Sequence, residues 1–177
     1  MATDPVTQEI IEGKLIATVD EMGIVMARTS MSPVIYEVLD FACGILTAEG
    51  ELVAQMNGIT LFTGTFGAQV RSLIRQFGAD ILPGDILLTN DPFSGGTHAC
   101  DFAIVRPVFI DGKLIAFAIN VAHYLDVGGG GAGIGSAQCD LGVSGRAAPA
   151  GGQDCSGGPA FGRACPHHHR ERPSACH

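Results

Sequence analysis

At 177 residues the chain has room for one domain, and 46% hydrophobic against 16% charged residues is a globular rather than a disordered composition. Ten Lys and Arg against eighteen Asp and Glu give a formal charge of −8, which excludes a nucleic-acid surface built on a basic stripe and polybasic attachment to an anionic membrane. No apolar run is long enough to span a bilayer and residues 1–12 hold no secretory apolar core, so a soluble cytoplasmic protein is expected.

Asp4-Pro5 opens the first element, with Asp4 as N-cap and Pro5 in the first turn. Ile10, Ile11, Leu15, Val19, Met22 and Met26 then recur at helical steps, and the spacing predicts a helix ending near Ser30, before Ser32-Pro33. Residues 41–47 and 51–56 flank Ala48-Glu49-Gly50 as a hairpin, with Gly50 suited to a left-handed turn position. Val70, Leu73, Ile74 and Phe77 predict a short helix over 68–77 closed by Gly78. A buried strand is expected at 86–89, a turn-rich loop at 90–96, and strands at 102–110 and 113–122 around Asp111-Gly112, a strong hairpin signal. Hairpins beside helices make the expected class α+β.

The composition breaks near residue 128. The first 127 residues hold 15 acids and 6 bases, whereas the last 50 hold 3 acids and 4 bases together with 13 of the 25 glycines. From Gly128 onward the only large apolar residues are Ile134, Leu141, Val143 and Phe161, too few to offset ordering entropy. Residues 1–127 are therefore read as the informative part and 128–177 as a disordered or aberrant tail. Glycine, alanine, arginine, cysteine and histidine dominate that tail, as GC-rich DNA read out of frame tends to produce.

Candidate chemistry lies where polar residues interrupt apolar strands. Asn90-Asp91-Pro92 leads through Gly95-Gly96-Thr97 to His98 and Asp101, where a loop enters a strand. His123 ends the apolar run 114–122, with Asp126 just after, and Glu37 and Asp40 precede the first hairpin. Two imidazoles with carboxylates form a mixed N/O set suited to Mn, Fe or Zn. The same residues also fit a structural role, with Gly95-Gly96 as a tight turn, Asp91 as its Asx cap and the histidines as satisfied side chains.

Other patterns carry less. Gly128-x-Gly130-x-x-Gly133 matches a dinucleotide fingerprint, but no helical pattern follows it. Ser94-Gly95-Gly96-Thr97 lacks the lysine of a P-loop, so ATP is not expected to bind this chain. Cys139, Cys155, Cys165 and Cys176 show no Cys-x-x-Cys spacing. Cys43 and Cys100 sit in apolar stretches as core thiols, with Cys100 the better functional candidate because it lies between His98 and Asp101.

The quoted residues also carry a resemblance. Asp4-Pro5-Val6-Thr7, Glu21-Met22-Gly23, Arg28-Thr29, Glu37-x-x-Asp40-Phe41 and Gly50-x-Leu52-Val53-Ala54-Gln55 occur in order. Pro83-Gly84-Asp85, Asn90-Asp91-Pro92-x-x-Gly95-Gly96-Thr97-His98-x-x-Asp101 and His123-x-x-Asp126-Val127-Gly128-Gly129 follow. Over residues 4–129 the chain resembles the N-terminal part of the hydantoinase B/oxoprolinase family, which includes the B-type subunits of N-methylhydantoinase, the C-terminal half of 5-oxoprolinase and the acetone carboxylase alpha subunit. The resemblance implies a metal held by Glu37, His98, Asp101 and His123, with His123 and Asp126 as catalytic residues. It implies a division of labour in which ATP is bound by an A-type subunit, which phosphorylates the ring carbonyl of a 5-oxoproline or hydantoin. The B-type subunit then completes ring opening, with a divalent metal (Mn, Zn or Fe) as Lewis acid and activator of water. A carboxylase alpha subunit, or an inactive remnant that binds only metal or partner, is the alternative. Family members continue for several hundred residues, whereas here the resemblance stops near Gly129, which implies that residues 1–129 are an incomplete domain of a larger α+β subunit and 130–177 a disordered or frameshifted tail.

Overall fold

The computed structural model describes residues 4–125, 144–147 and 161–162. Its first helix, α1 (Pro5–Thr29), starts where the sequence predicts. The Asp4 carboxylate accepts the Thr7 N–H at 3.2 Å, and Pro5 fills a first-turn position that needs no donor. Extended backbone at Ser30 ends the helix. A second helix that the sequence pattern does not anticipate follows at once, the single turn α2 (Pro33–Tyr36). Pro33 is a stop signal for α1, and it also starts a helix, because a first turn tolerates its fixed φ and missing N–H.

The expected hairpin is formed by β1 (Phe41–Thr47) and β2 (Leu52–Gln55). Gly50 takes φ +80° in its loop, and Thr47 Oγ1 accepts the N–H groups of Glu49 and Glu51, each at 3.2 Å. The next helix, α3 (Thr60–Phe77), begins at Thr60 rather than at the expected Ala68. Thr60, Thr63, Gly64, Thr65 and Gly67 have poor helix propensity, which hides its first half in the sequence. Burial of Phe62 and Phe66 outweighs that preference.

Three longer-range strands complete the body: β3 (Ile86–Thr89), β4 (Asp101–Ile110) and β5 (Lys113–His123). Asp111 and Gly112, at φ +50° and +76°, make the two-residue turn between β4 and β5. Two short strands, β6 (Ser144–Ala147) and β7 (Phe161–Gly162), extend the sheet beyond β3, giving the order β2-β1-β5-β4-β3-β6-β7 with every pairing antiparallel. The open edge of β3 supplies backbone partners to β6 that the local composition does not suggest. The architecture is α+β, as expected. Among the described residues no helix is long and apolar enough to cross a membrane.

Two-residue alternation along the strands splits the core. Ala42, Leu46, Leu87, Ala103, Val105, Phe117, Ile119 and Val121 meet Phe62, Phe66, Val70 and Leu73 of α3 on one face. At Gly44 a Cβ would lie 2.7 Å from the Phe66 ring, so the strand needs glycine there. On the other face Phe41, Cys43 and Ala122 pack with Ile35, Met22 and Met26 from α2 and α1. Burial pushes the Cys43 thiol up from 9.0 to about 12. Above pH 9.0 the unfolded chain loses this proton while the folded chain keeps it, so folded stability falls with rising pH up to about 12. Iodoacetamide near pH 9 is expected to alkylate Cys43 only after denaturant unfolds the chain, as read by peptide mass; rapid labelling of the folded chain would contradict the packing.

Candidate active site

The sheet register builds the site. Asp101 opens β4, His123 ends β5, and the two residues are direct cross-strand partners. Asp101 shares strand parity with Ala103 and Val105, and His123 with Val121 and Ile119, so both side chains fall on the α3 side of the sheet. Both are buried. The Asp101 Oδ1 atom lies 2.7 Å from His123 Nδ1. Its Oδ2 atom lies 2.9 Å from His98 Nδ1 and accepts the His98 backbone N–H at 3.0 Å and the Thr97 hydroxyl. One carboxylate thus holds two imidazoles and the end of the preceding loop.

That loop is held at several points. Asn90 Nδ2 donates to the Ala99 carbonyl at 2.7 Å. Asp91 accepts the Phe93 N–H at 3.0 Å and the Ser94 hydroxyl at 2.5 Å, closing a turn of 3₁₀ helix over Pro92–Ser94. Gly95 follows at φ +103°, and a Cβ there would lie 2.7 Å from Ala68 Cβ and 2.9 Å from the Ala68 carbonyl carbon. Only glycine lets the loop rest on α3 in this conformation. The other wall is tied as well: the His123 N–H donates to the Asp40 carbonyl at 3.1 Å, and the Tyr124 N–H donates to the Cys100 carbonyl at 2.9 Å. Leu39, just before Asp40, takes φ +59°, a left-handed conformation that costs a non-glycine residue energy and that the surrounding bonds impose.

A carboxylate only accepts hydrogen bonds, so each imidazole presents Nδ1–H to Asp101 and keeps Nε2 as its remaining acceptor nitrogen. His123 Nε2 is buried and has no hydrogen-bond partner. The His98 ring is 69% exposed. An imidazole oriented by a carboxylate through one nitrogen, with the other left open, is the arrangement that metal-binding histidines commonly have. The residues therefore fit a divalent metal in donor chemistry. They are not set as a finished cage: among the described residues no three His, Cys, Asp or Glu side chains are grouped to hold an ion.

Of the residues expected to act together, His98, Asp101 and His123 form one hydrogen-bonded cluster. Glu37 is exposed in the turn after α2 and lies outside that cluster, although Asp40, three residues on, is bonded to His123. Asp126 falls outside the described residues, as do the glycine run and the cysteines of the tail. Thr97 and Asn90 have roles that sequence reasoning does not assign. A threonine four residues before a strand-opening aspartate is the signal that could have found the first.

The sequence profile described as hydantoinase B/oxoprolinase matches residues 4–140. The chain belongs to the hydantoinase B/oxoprolinase family. The match runs past Gly129, where the resemblance was expected to stop. Arabidopsis thaliana 5-oxoprolinase 1 is 35% identical over 126 residues, which are 71% of this chain and 10% of that protein. The putative B-type subunit of a D-/L-hydantoinase from a Pseudomonas species is 32% identical over 130 residues, 71% of this chain and 22% of that protein. Two solved structures superpose with TM-scores of 0.68 over 73% of this chain. They are nucleotide-free acetone carboxylase, at 26% identity and 17% of its chain, and the ATP-dependent caprolactamase of Pseudomonas jessenii, at 28% identity and 22% of its chain. The chain spans between 10% and 23% of the length of the curated relatives it matches.

Proposed function

We propose that this chain is the N-terminal part of a B-type subunit of an ATP-dependent cyclic-amide hydrolase, acting on a 5-oxoproline or hydantoin ring with an ATP-binding A-type subunit. The observation that carries the reading is the Asp101 carboxylate between two imidazoles, with the Nε2 of His123 buried and unpartnered. Relatives named 5-oxoprolinase and ATP-dependent caprolactamase support the substrate class. The relative named as one subunit of a hydantoinase supports an A-type partner. A cytoplasmic setting, where ATP is available, goes with this reading.

His98, Asp101 and His123, with Glu37, would hold a divalent metal (Mn, Zn or Fe). When bound, the ion would supply Lewis-acid polarisation of the activated ring carbonyl. Asp126 would either take a proton from the attacking water or orient a metal-binding side chain, with His123 as the other catalytic residue. The test is ring opening of 5-oxoproline and hydantoin by the full chain with an A-type hydantoinase subunit, ATP and Mn(II). Turnover that falls on the order of 100-fold or more in His123→Ala supports the reading. The alternative is a non-catalytic remnant that binds only metal or partner. Metal binding without turnover under the same conditions would decide for it.

A further inference from the structure

Thr97 has no part in the proposed chemistry, yet its hydroxyl is committed to Asp101. The donors that reach this carboxylate are unevenly shared between its two oxygens. His123 Nδ1 meets Oδ1, at 2.7 Å. Oδ2 takes the Thr97 hydroxyl, the His98 backbone N–H at 3.0 Å and the His98 ring Nδ1 at 2.9 Å. An ionised carboxylate oxygen has about two in-plane acceptor sites. Donors from the loop therefore fill Oδ2 and leave Oδ1 to β5. These loop donors are not equal. The His98 ring is 69% exposed, so water competes for its bond, and the hydroxyl and the backbone N–H hold Oδ2 most firmly. One hydrogen bond fixes a direction only, whereas two in the plane of one oxygen fix the carboxylate plane. His123 depends on that plane, because an sp² oxygen accepts best within it.

The loop does not need the hydroxyl for its own shape. Before Thr97 the Gly96 N–H donates to the Asp91 carbonyl at 3.1 Å, and after it the Asp101 N–H donates to the His98 carbonyl at 3.0 Å. Asn90 Nδ2 holds the Ala99 carbonyl, and the Tyr124 N–H holds the Cys100 carbonyl. We propose that Thr97 is a positioning residue: its hydroxyl sets the plane of the Asp101 carboxylate and so keeps the His123 ring with Nδ1–H on Asp101 and Nε2 open. The inference deepens the reading of this cluster as the site and rests on it for what the open Nε2 does. The geometry itself does not depend on that reading. Thr97→Val keeps the shape of the side chain and removes the donor, whereas Thr97→Ser keeps the donor and removes the methyl group.

Hydrogen exchange of the His123 Nδ1–H tests this by NMR on the ¹⁵N-labelled full chain, without metal or A-type subunit. Exchange is expected to be on the order of tenfold faster in Thr97→Val than in the unsubstituted chain, with Thr97→Ser close to the unsubstituted rate. The backbone amides of Asp101 and His123, bonded to the His98 and Asp40 carbonyls, are expected to exchange as before in both variants. Equal ring exchange in Thr97→Val and the unsubstituted chain overturns the proposal, as does a Thr97→Ser chain that behaves like Thr97→Val. Equal acceleration of the Asp101 and His123 amides also overturns it, since the hydroxyl would then hold the loop rather than the carboxylate. Failure of ring opening with the A-type subunit would leave the exchange result standing, so the two readings fail separately.

Discussion

Asp101→Ala is expected to destabilise the chain by about 3 kcal/mol, seen as a lower urea midpoint with an unchanged slope. The carboxylate accepts from Thr97, the His98 backbone and both imidazoles, and it is buried. Water can replace it at His98, whose ring is exposed, but not at His123, which is buried and would keep two unpartnered ring nitrogens. Most of the cost therefore falls on one histidine. Asp101→Asn is expected to lose less, because the amide oxygen keeps an acceptor for one ring while the NH₂ group faces the other. A loss below about 1 kcal/mol in Asp101→Ala would mean that the cluster contributes no more than an exposed pair.

Gly95→Ala is expected to cost about 3 kcal/mol without touching a polar atom of the site. Left-handed backbone at φ +103° strains any side-chain-bearing residue, and the new Cβ would press on Ala68 Cβ and the α3 backbone at 2.7 and 2.9 Å. Since α3 is backed by the main core, the loop must give way. Displacement of the loop carries Thr97 and His98 from Asp101, so thermal unfolding and the His98 NMR signals should both change. A variant with unchanged His98 signals would show that the loop does not depend on resting against Ala68.

Much of this is legible in the sequence where one local rule acts alone. Asp4-Pro5, Asp111-Gly112 and the apolar run over 86–89 place α1, the β4–β5 turn and β3, because capping, turn chemistry and periodicity agree there. The first half of α3 is hidden because burial of Phe62 and Phe66 overrides its threonines and glycines. Similarly, α2 is hidden behind a proline that both stops and starts helices. In the site, the motif spacing names His98, Asp101 and His123, but not that register makes Asp101 and His123 cross-strand partners. A separation of 22 residues says nothing of contact until the hairpin between them is known. Glu37 stays apart because a turn, not a strand, positions it.

In the proposed function the Asp101 cluster presents His123 for metal binding. Equilibrium dialysis of the full chain and of His123→Ala against Mn(II), Zn(II) or Fe(II), with metal content measured, tests it most directly. His167, His168 and His169 can bind metal by themselves, so the difference between the two proteins decides. About one more equivalent is expected in the unsubstituted chain than in the variant. Equal metal content in both, with the variant folded, would contradict it.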